Sequence, residues 1–527
     1  MKRTITLILS AVLLLSLFAG CGSKEEAPAA TQPQSQPSIT AFSVGFARAD
    51  ITPQDPVTLT GFGSAIENRV SQNVLDPLSA SCIAFADPEG TTILLFCIDI
   101  ISCSSTVFSP IRQSISEATG VPFENIIFTA SHTHAATSTL STGDPGVEAA
   151  NKRMGENCVT AAKEAIADLK PAQMSFSFLR PEETMNCSRH YVLKNGIFTG
   201  DKSSYNDMAS SEFYSHTTKT DDLLQLVKFT REGGKDVIMV NWQGHYAARM
   251  NTIAYSITAD YPGVIRNELE NNLDCHAAFV LGASGNMTTG SRISGEIYSP
   301  DYAEYGEALS KYVLRATENF TPANVGNIYT KEVIHHYEAN AHIDVPVYAF
   351  GFGDFAVITA PFESFDSNAQ YVRENSKFKY TFYASCAQES LSYLPAKYVY
   401  DYNIPGYEAG INKFGMGAGE ELAEVQLKML DDIFAASGSA VQEKAEGYVE
   451  PEFVPATDGV TYTNPAPGKM SFFTPVENGY YSCTMVTDKG TKYLLIENKE
   501  LAEQICQTKT PMQFLFNEQK IVVGIVQ

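Results

Sequence analysis

Residues 126–137, Ile-Ile-Phe-Thr-Ala-Ser-His-Thr-His-Ala-Ala-Thr, carry two of the chain's nine histidines, His132 and His134, in a His-x-His spacing. Side chains at i and i+2 of an extended segment share a face, so both imidazoles can enter one cleft from a strand end. Three further segments place reactive groups where strand-like runs finish, the usual location of sites in α/β folds. Residues 240–245 put His245 and the only tryptophan, Trp242, past one run, and residues 357–363 end on Glu363. Residues 393–408 are rich in tyrosine, including Tyr393 and Tyr407. Two imidazoles and one carboxylate suit Zn2+ with an open coordination position. Water held there becomes a nucleophile near neutral pH and the ion polarises a carbonyl, so the set predicts hydrolysis of an amide or ester. On spacing alone, the His-x-His reads equally as a structural pair, and Tyr393 as a core aromatic with a satisfied hydroxyl. Ser284, in Gly282-Ala283-Ser284-Gly285, lacks the Gly-x-Ser-x-Gly frame of a serine hydrolase; it reads as part of a glycine-rich turn near the site.

The elements that must position these groups alternate. Near-continuous apolar residues at 92–101 predict a strand buried on both faces. A helix follows at 110–119, the His-bearing strand at 126–129, and a long amphipathic helix at 146–169. A hairpin is predicted from 223–230 and 236–242 across Gly233-Gly234, then a helix at 261–271, a strand at 277–281 and a helix at 300–319. Another buried strand at 349–359, a helix at 364–374, a strand at 380–385 and a helix at 419–437 complete the series. This is the pattern of an α/β domain, with mixed, largely buried sheets flanked by helices. Beyond 438 the texture changes to short strands at 493–496, 512–516 and 521–526, which predict a small all-β domain.

The chain begins with Lys2 and Arg3, an apolar run at 5–17, and small residues ahead of Cys21. These predict a lipoprotein signal peptide at 1–20 and lipid attachment at Cys21. The Ala-, Pro-, Gln- and Ser-rich residues that follow predict a flexible linker over 21–41. The expected location is therefore the extracytoplasmic face of the cell membrane, held by the lipid. The expected organisation continues with a hydrolase domain at 42–437 and the β-rich domain at 438–527. A formal charge of −23 excludes nucleic acid as a partner, and nothing points to a protein partner. Cys97, inside an apolar run, reads as a buried small hydrophobe, and no Cys-x-x-Cys occurs. Cys483 and Cys506 are candidates for a disulfide. His335 and His336 face opposite sides before a strand, and His190 and His216 are expected near the mouth, at the surface.

The order of motifs resembles the neutral/alkaline non-lysosomal ceramidase family over residues 42–435. Its opening segment is matched by Val44-Gly45 through Asp50-Ile51-Thr52-Pro53, followed by Gly61-Phe62. Its Thr-His-Thr-His signature appears as Ser131-His132-Thr133-His134, and its Asn-Trp-x-x-His as Asn241–His245. Gly282-Ala283-Ser284-Gly285-Asn286, Pro361-Phe362-Glu363, Tyr393-Leu394-Pro395 and Tyr407-Glu408-Ala409 follow in order. The resemblance implies that His132, His245, Glu363 and Tyr393 hold Zn2+ and that His134 is the base. It assigns Tyr407 and an arginine to the oxyanion of a tetrahedral intermediate, consistent with electrostatic stabilisation. Arg189 takes the arginine's place, displaced from Asn186 relative to the family's Asn-Arg segment. Gly61 and Ser284 are expected at the substrate.

The implied substrate is an N-acyl lipid such as ceramide, cleaved to a sphingoid base and a fatty acid. The region 195–220, expected as a lid, is polar where a long-chain groove would be apolar. A zinc hydrolase of another small N-acyl or ester substrate therefore stays open. So does a non-catalytic solute-binding lipoprotein, which the signal and tether alone would fit.

Overall fold

The computed structural model describes residues 39–526, apart from 63–68, 141–142, 182–184, 194, 201–212, 219, 247–252, 290, 294–295, 299–300, 405, 445–454, 477–478 and 518, and the side chains of 290–300. The expected signal, Cys21 and the linker through residue 38 lie outside the described residues, as does much of the expected lid. Among the described residues no helix is long and apolar enough to cross a membrane.

The central sheet runs in the order Cys275–Leu281, Asp236–Trp242, Leu224–Arg231, Lys170–Leu179, Ser43–Asp50, Ser79–Ala86, Thr92–Ile98, Ile126–Ala130, with Thr321–Ala323 added on Lys170–Leu179. Its two outermost pairs are parallel and the rest antiparallel. A second sheet orders Tyr329–His335, Val345–Phe352, Phe355–Thr359 and Tyr380–Ala384, its last pair parallel.

Period-two alternation explains how the sheets layer. Cys82 and Ala84 join Ile111, Ile115, Ala161 and Ala165 of the helices Ser105–Thr119 and Pro145–Ala167 in one core. Their neighbours Ile83 and Phe85 join Phe350, Phe352 and Phe355 of the second sheet in another. Val347 and Ala349 turn the opposite way, onto Leu422, Met429 and Leu430 of helix Ala418–Ser437. The result is helices, sheet, sheet, helices, each sheet apolar on both faces, which is why its strands read as unbroken apolar runs.

The strand expected over 349–359 is two strands. Gly353, at φ +56°, and Asp354 turn the chain so that Phe352 faces Phe355 across a hairpin; glycine tolerates that left-handed backbone and reverses the strand. His335 ends a strand instead of preceding one, and both it and His336 pair with exposed acids, Glu421 at 2.9 Å and Asp344 at 2.7 Å.

At the carboxyl end a six-stranded sheet includes Tyr481–Thr487, Gly490–Ile496, Gln513–Phe516 and Val522–Val526. It carries one helix that the strand-and-turn texture omitted, Lys499–Gln507. The signal was present: Asn498 accepts from the Leu501 amide at 2.9 Å as an N-cap, and Leu501, Ala502, Ile505 and Cys506 form its buried face. Cys483 and Cys506 both lie in this core as free thiols. The expected pairing does not form, since each side chain packs there as a small hydrophobe.

Candidate active site

The His-bearing strand Ile126–Ala130 is anchored by Phe128, fully buried and stacked on Phe96 with ring centroids 4.3 Å apart. Burial of that ring stabilises the strand end by roughly 1.5–3 kcal/mol. Beyond it, Ser131 and His132 continue pairing, their amides donating to Ile98 and Ile100 carbonyls at 2.9 Å each. His132 then adopts φ +65°, a left-handed backbone that a non-glycine residue holds only at some cost. Its Nδ1 lies 2.7 Å from the Ile101 carbonyl, which assigns the ring proton to that nitrogen and leaves Nε2 facing the cleft.

His245 repeats the arrangement. Its Nδ1 is 3.1 Å from the Ser284 carbonyl, and its buried Nε2 has no hydrogen-bond partner among the described residues. A backbone carbonyl on one ring nitrogen, with the other turned inward, is how metal-binding imidazoles are oriented. The segment feeding it is rigid: Asn241 Nδ2 donates to Val280 and Tyr383 carbonyls at 2.9 and 3.1 Å, and Trp242 Nε1 to Tyr305 Oη at 3.0 Å.

Glu363 pairs in parallel register with Tyr393 in a two-strand ladder. Its Oε2 lies 3.3 Å from His132 Nε2 and 4.0 Å from His245 Nε2, buried and, among the described residues, without a hydrogen-bond partner. The Tyr393 hydroxyl faces Glu363 and Arg189. Gly285 brings the glycine-rich turn against this ladder, its amide donating to the Ser364 carbonyl at 2.8 Å. A Cβ there would sit 2.3 Å from the Glu363 carbonyl oxygen. The loop that returns from the second sheet ties the site together. Ser385 donates to Leu281 and Gln388 to Phe128, on the two outermost strands of the central sheet. Three non-glycine residues of this loop, Cys386, Gln388 and Ser392, have positive φ, strain of the kind that collects at functional sites.

His134 Nε2 lies 3.2 Å from His132 Nε2. Its ring stacks on Tyr246 at 3.6 Å and meets the edge of Phe62 at 5.5 Å, and Arg69 donates to its carbonyl at 2.7 Å. Gly61, φ +126°, presses on it so closely that a Cβ would lie 2.4 Å from His134 Cβ. Burial, then the charges of His132 and Arg69, push the His134 pKa well below its usual value. Burial, Arg189 and His132 do the same for His245. Both rings are therefore neutral near pH 7, with lone pairs available. Burial and then Glu363 raise the Tyr393 phenol well above its usual range, so it stands as a neutral hydroxyl.

The ligand atoms of His132, His134 and His245 lie within 4.8 Å of one another. Unpartnered buried acceptors at His245 Nε2 and Glu363 Oε2 are costly alone, and a cation between them would satisfy both. The nitrogen-and-carboxylate donor set fits zinc.

Arg189 Nη2 lies 2.8 Å from Glu408 Oε1 and also bonds the Gly285 carbonyl, while its guanidinium carbon sits 5.5 Å over the Tyr393 ring. Tyr407, 59% exposed, meets the Tyr393 ring at 5.5 Å. The nine residues proposed from the sequence for the cleft thus gather at one site. Gly61 packs on His134, and the Ser284 carbonyl orients His245. His190, expected at the surface, is buried against Glu408 and Tyr398, because a charged carboxylate in the interior needs donors around it. Sequence reading gave no role to Phe62, Arg69, Tyr246, Cys386 or Glu408, although Phe62 and Glu408 stand inside the quoted motifs. Tyr246 adjoins His245 and was findable by that adjacency. Cys386, whose Sγ lies 3.6 Å from His132 Nδ1, carried no local signal.

No described protein family and no curated protein sequence matches this chain. Solved structures do. A ceramidase complexed with C2 aligns with a TM-score of 0.60 at 12% identity, and a neutral ceramidase from Pseudomonas aeruginosa with 0.59 at 12%, each over 92% of both chains. The chain has the fold of the neutral ceramidases.

Proposed function

We propose that this protein is a zinc-dependent hydrolase that cleaves the amide bond of an N-acyl lipid such as ceramide. The observation that carries the reading is the convergence of His132 and His245 on the buried Oε2 of Glu363, with His134 Nε2 3.2 Å from His132 Nε2. The shared fold, over nearly the full length of both chains, supports it. His132, His245, Glu363 and Tyr393 would hold the ion. Zinc supplies Lewis acidity toward water and the scissile carbonyl when bound. His134, neutral through burial, accepts a proton from the attacking water at Nε2 and returns it to the leaving nitrogen. Arg189 and the Tyr407 hydroxyl donate toward the oxygen on which negative charge develops. Gly61, Phe62, Tyr246 and Arg69 keep the His134 ring from swinging away.

The proposal includes lipid attachment at Cys21, which would hold the hydrolase at the outer face of the membrane beside its substrate. Palmitate labelling, lost in Cys21→Ser, tests that part. Residues 42–437 would be the catalytic domain, with 438–527 as a small accessory domain.

Metal analysis with a hydrolysis panel tests the chemistry. Purified protein is expected to hold stoichiometric zinc, to lose it in His132→Ala and to retain it in His134→Ala with turnover abolished. Absence of zinc from the wild type, or unchanged zinc in His132→Ala, refutes the metal site. Turnover of short amides or esters, with none on any long-chain N-acyl sphingosine, refutes ceramide as the substrate and leaves the chemistry standing.

A further inference from the structure

Arg189 and Tyr407 come from distant parts of the chain, yet one buried carboxylate reaches the supports of both. Glu408 follows Tyr407 at the start of the short helix Tyr407–Ile411 and is 1% exposed. Its Oε1 lies 2.8 Å from Arg189 Nη2 and its Oε2 3.6 Å from His190 Nε2. His190, itself fully buried, has Nδ1 3.0 Å from Tyr398 Oη. Gly406 leaves space for the carboxylate to fold back, since a Cβ there would lie 2.9 Å from Glu408 Oε2. The same Arg189 Nη2 bonds the Gly285 carbonyl, next to the Glu363 backbone. Arg189 is thereby fixed over the Tyr393 ring, whose edge contact is Tyr407.

A carboxylate so deeply buried is costly unless it is paired; Arg189 pairs its Oε1, while Oε2 has the His190 ring 3.6 Å away and no hydrogen bond among the described residues. Tyr407 would need no such residue beside it merely to begin a helix. Although burial opposes its charge, Arg189 and then His190 hold the Glu408 carboxyl down at about 2, so the clamp is ionised at any working pH.

We propose that Glu408 is the positioning residue for both groups on the oxyanion side. Its carboxylate sets the Arg189 guanidinium, and its backbone, tied to that anchor, sets the Tyr407 phenol one residue earlier. This rests on the reading that Arg189 and Tyr407 face the scissile carbonyl; Glu408 itself touches no reacting atom.

The test uses the full chain with 3-fluorotyrosine at position 407, observed by 19F NMR, which needs no turnover. Glu408→Gln is expected to shift and broaden the resonance. Arg189→Lys, which disturbs the clamp from its other end and serves should Glu408→Gln fail to fold, is expected to shift it too. Asp99→Asn, a buried carboxylate change elsewhere, should leave it in place. In turnover, Glu408→Gln should lower kcat by about 10–100-fold with KM within about twofold, the split expected when transition-state contacts alone are lost. A resonance unmoved in the folded clamp variants, or a KM rise that accounts for the whole loss, overturns the proposal. A wild type without turnover refutes the hydrolase reading instead, because the resonance reports on the clamp regardless.

Discussion

Replacing Gly61 by alanine tests whether the backbone beside His134 sets the ring. Two costs follow from the structure. At φ +126° an L-residue is strained whatever surrounds it, by about 1–3 kcal/mol. The new Cβ would also lie 2.4 Å from His134 Cβ and 2.6 Å from its Cγ. Carbon atoms settle near 3.5–4.0 Å, so His134 or the Gly61 segment must move by about 1 Å, at about 1–3 kcal/mol of overpacking. The sum is about 2–6 kcal/mol of stability. A displacement of that size at a catalytic group costs about 100-fold in rate. Gly90→Ala is the control: φ is +93°, but nothing lies within 4 Å of the added atom, so it should lose only the backbone part and keep full activity. Urea unfolding followed through Trp242, the only tryptophan and fully buried, gives stability, and the hydrolysis assay gives rate. If Gly61→Ala matches Gly90→Ala in both, the close approach of Gly61 to His134 does not position the base.

Three more outcomes are expected. The Glu408 carboxyl is depressed from its usual 4.5 to about 2, so it contributes about 3 kcal/mol. That contribution is complete above pH 4.5 and is lost as pH falls toward 2; in urea melts at stepped pH, the wild-type excess over Glu408→Gln should shrink across that window. Arg266 donates to Asp99 at 2.9 and 2.6 Å, with both side chains buried. Arg266→Met strands that carboxylate and should cost about 3–5 kcal/mol in the same melts, with zinc content unchanged. Tyr246→Ala removes the face stacked on His134, worth about 0.5–1.5 kcal/mol, and should lower kcat by about 2–10-fold, while Tyr246→Phe keeps the stack and the rate.

Much of the fold was legible because burial on both faces leaves a local trace. The central strands are continuous apolar runs, and the helices Pro145–Ala167 and Ala418–Ser437 show a stripe with glycine or polar ends. The misreadings were also local. Residues 349–359 read as one strand because the turn at Gly353-Asp354 interrupts apolar residues that pack into the same cores on both sides. Helix Lys499–Gln507 was overlooked because nine residues offer only two turns of pattern.

At the site, residue type and spacing marked out the candidate groups: His132, His134, His245, Glu363, Tyr393 and Tyr407 lie in segments that follow strand-like runs, and that is visible in one dimension. Tertiary structure alone decided what each is pressed against. The Ile101 and Ser284 carbonyls turn the imidazoles, Gly61 and Tyr246 confine His134, and Glu408 binds an arginine more than two hundred residues away. Such contacts arise from strands far apart in the chain meeting at one end of two sheets. Local sequence holds no record of them, because a hydrogen bond or a van der Waals limit depends on distance in space and not on separation along the backbone.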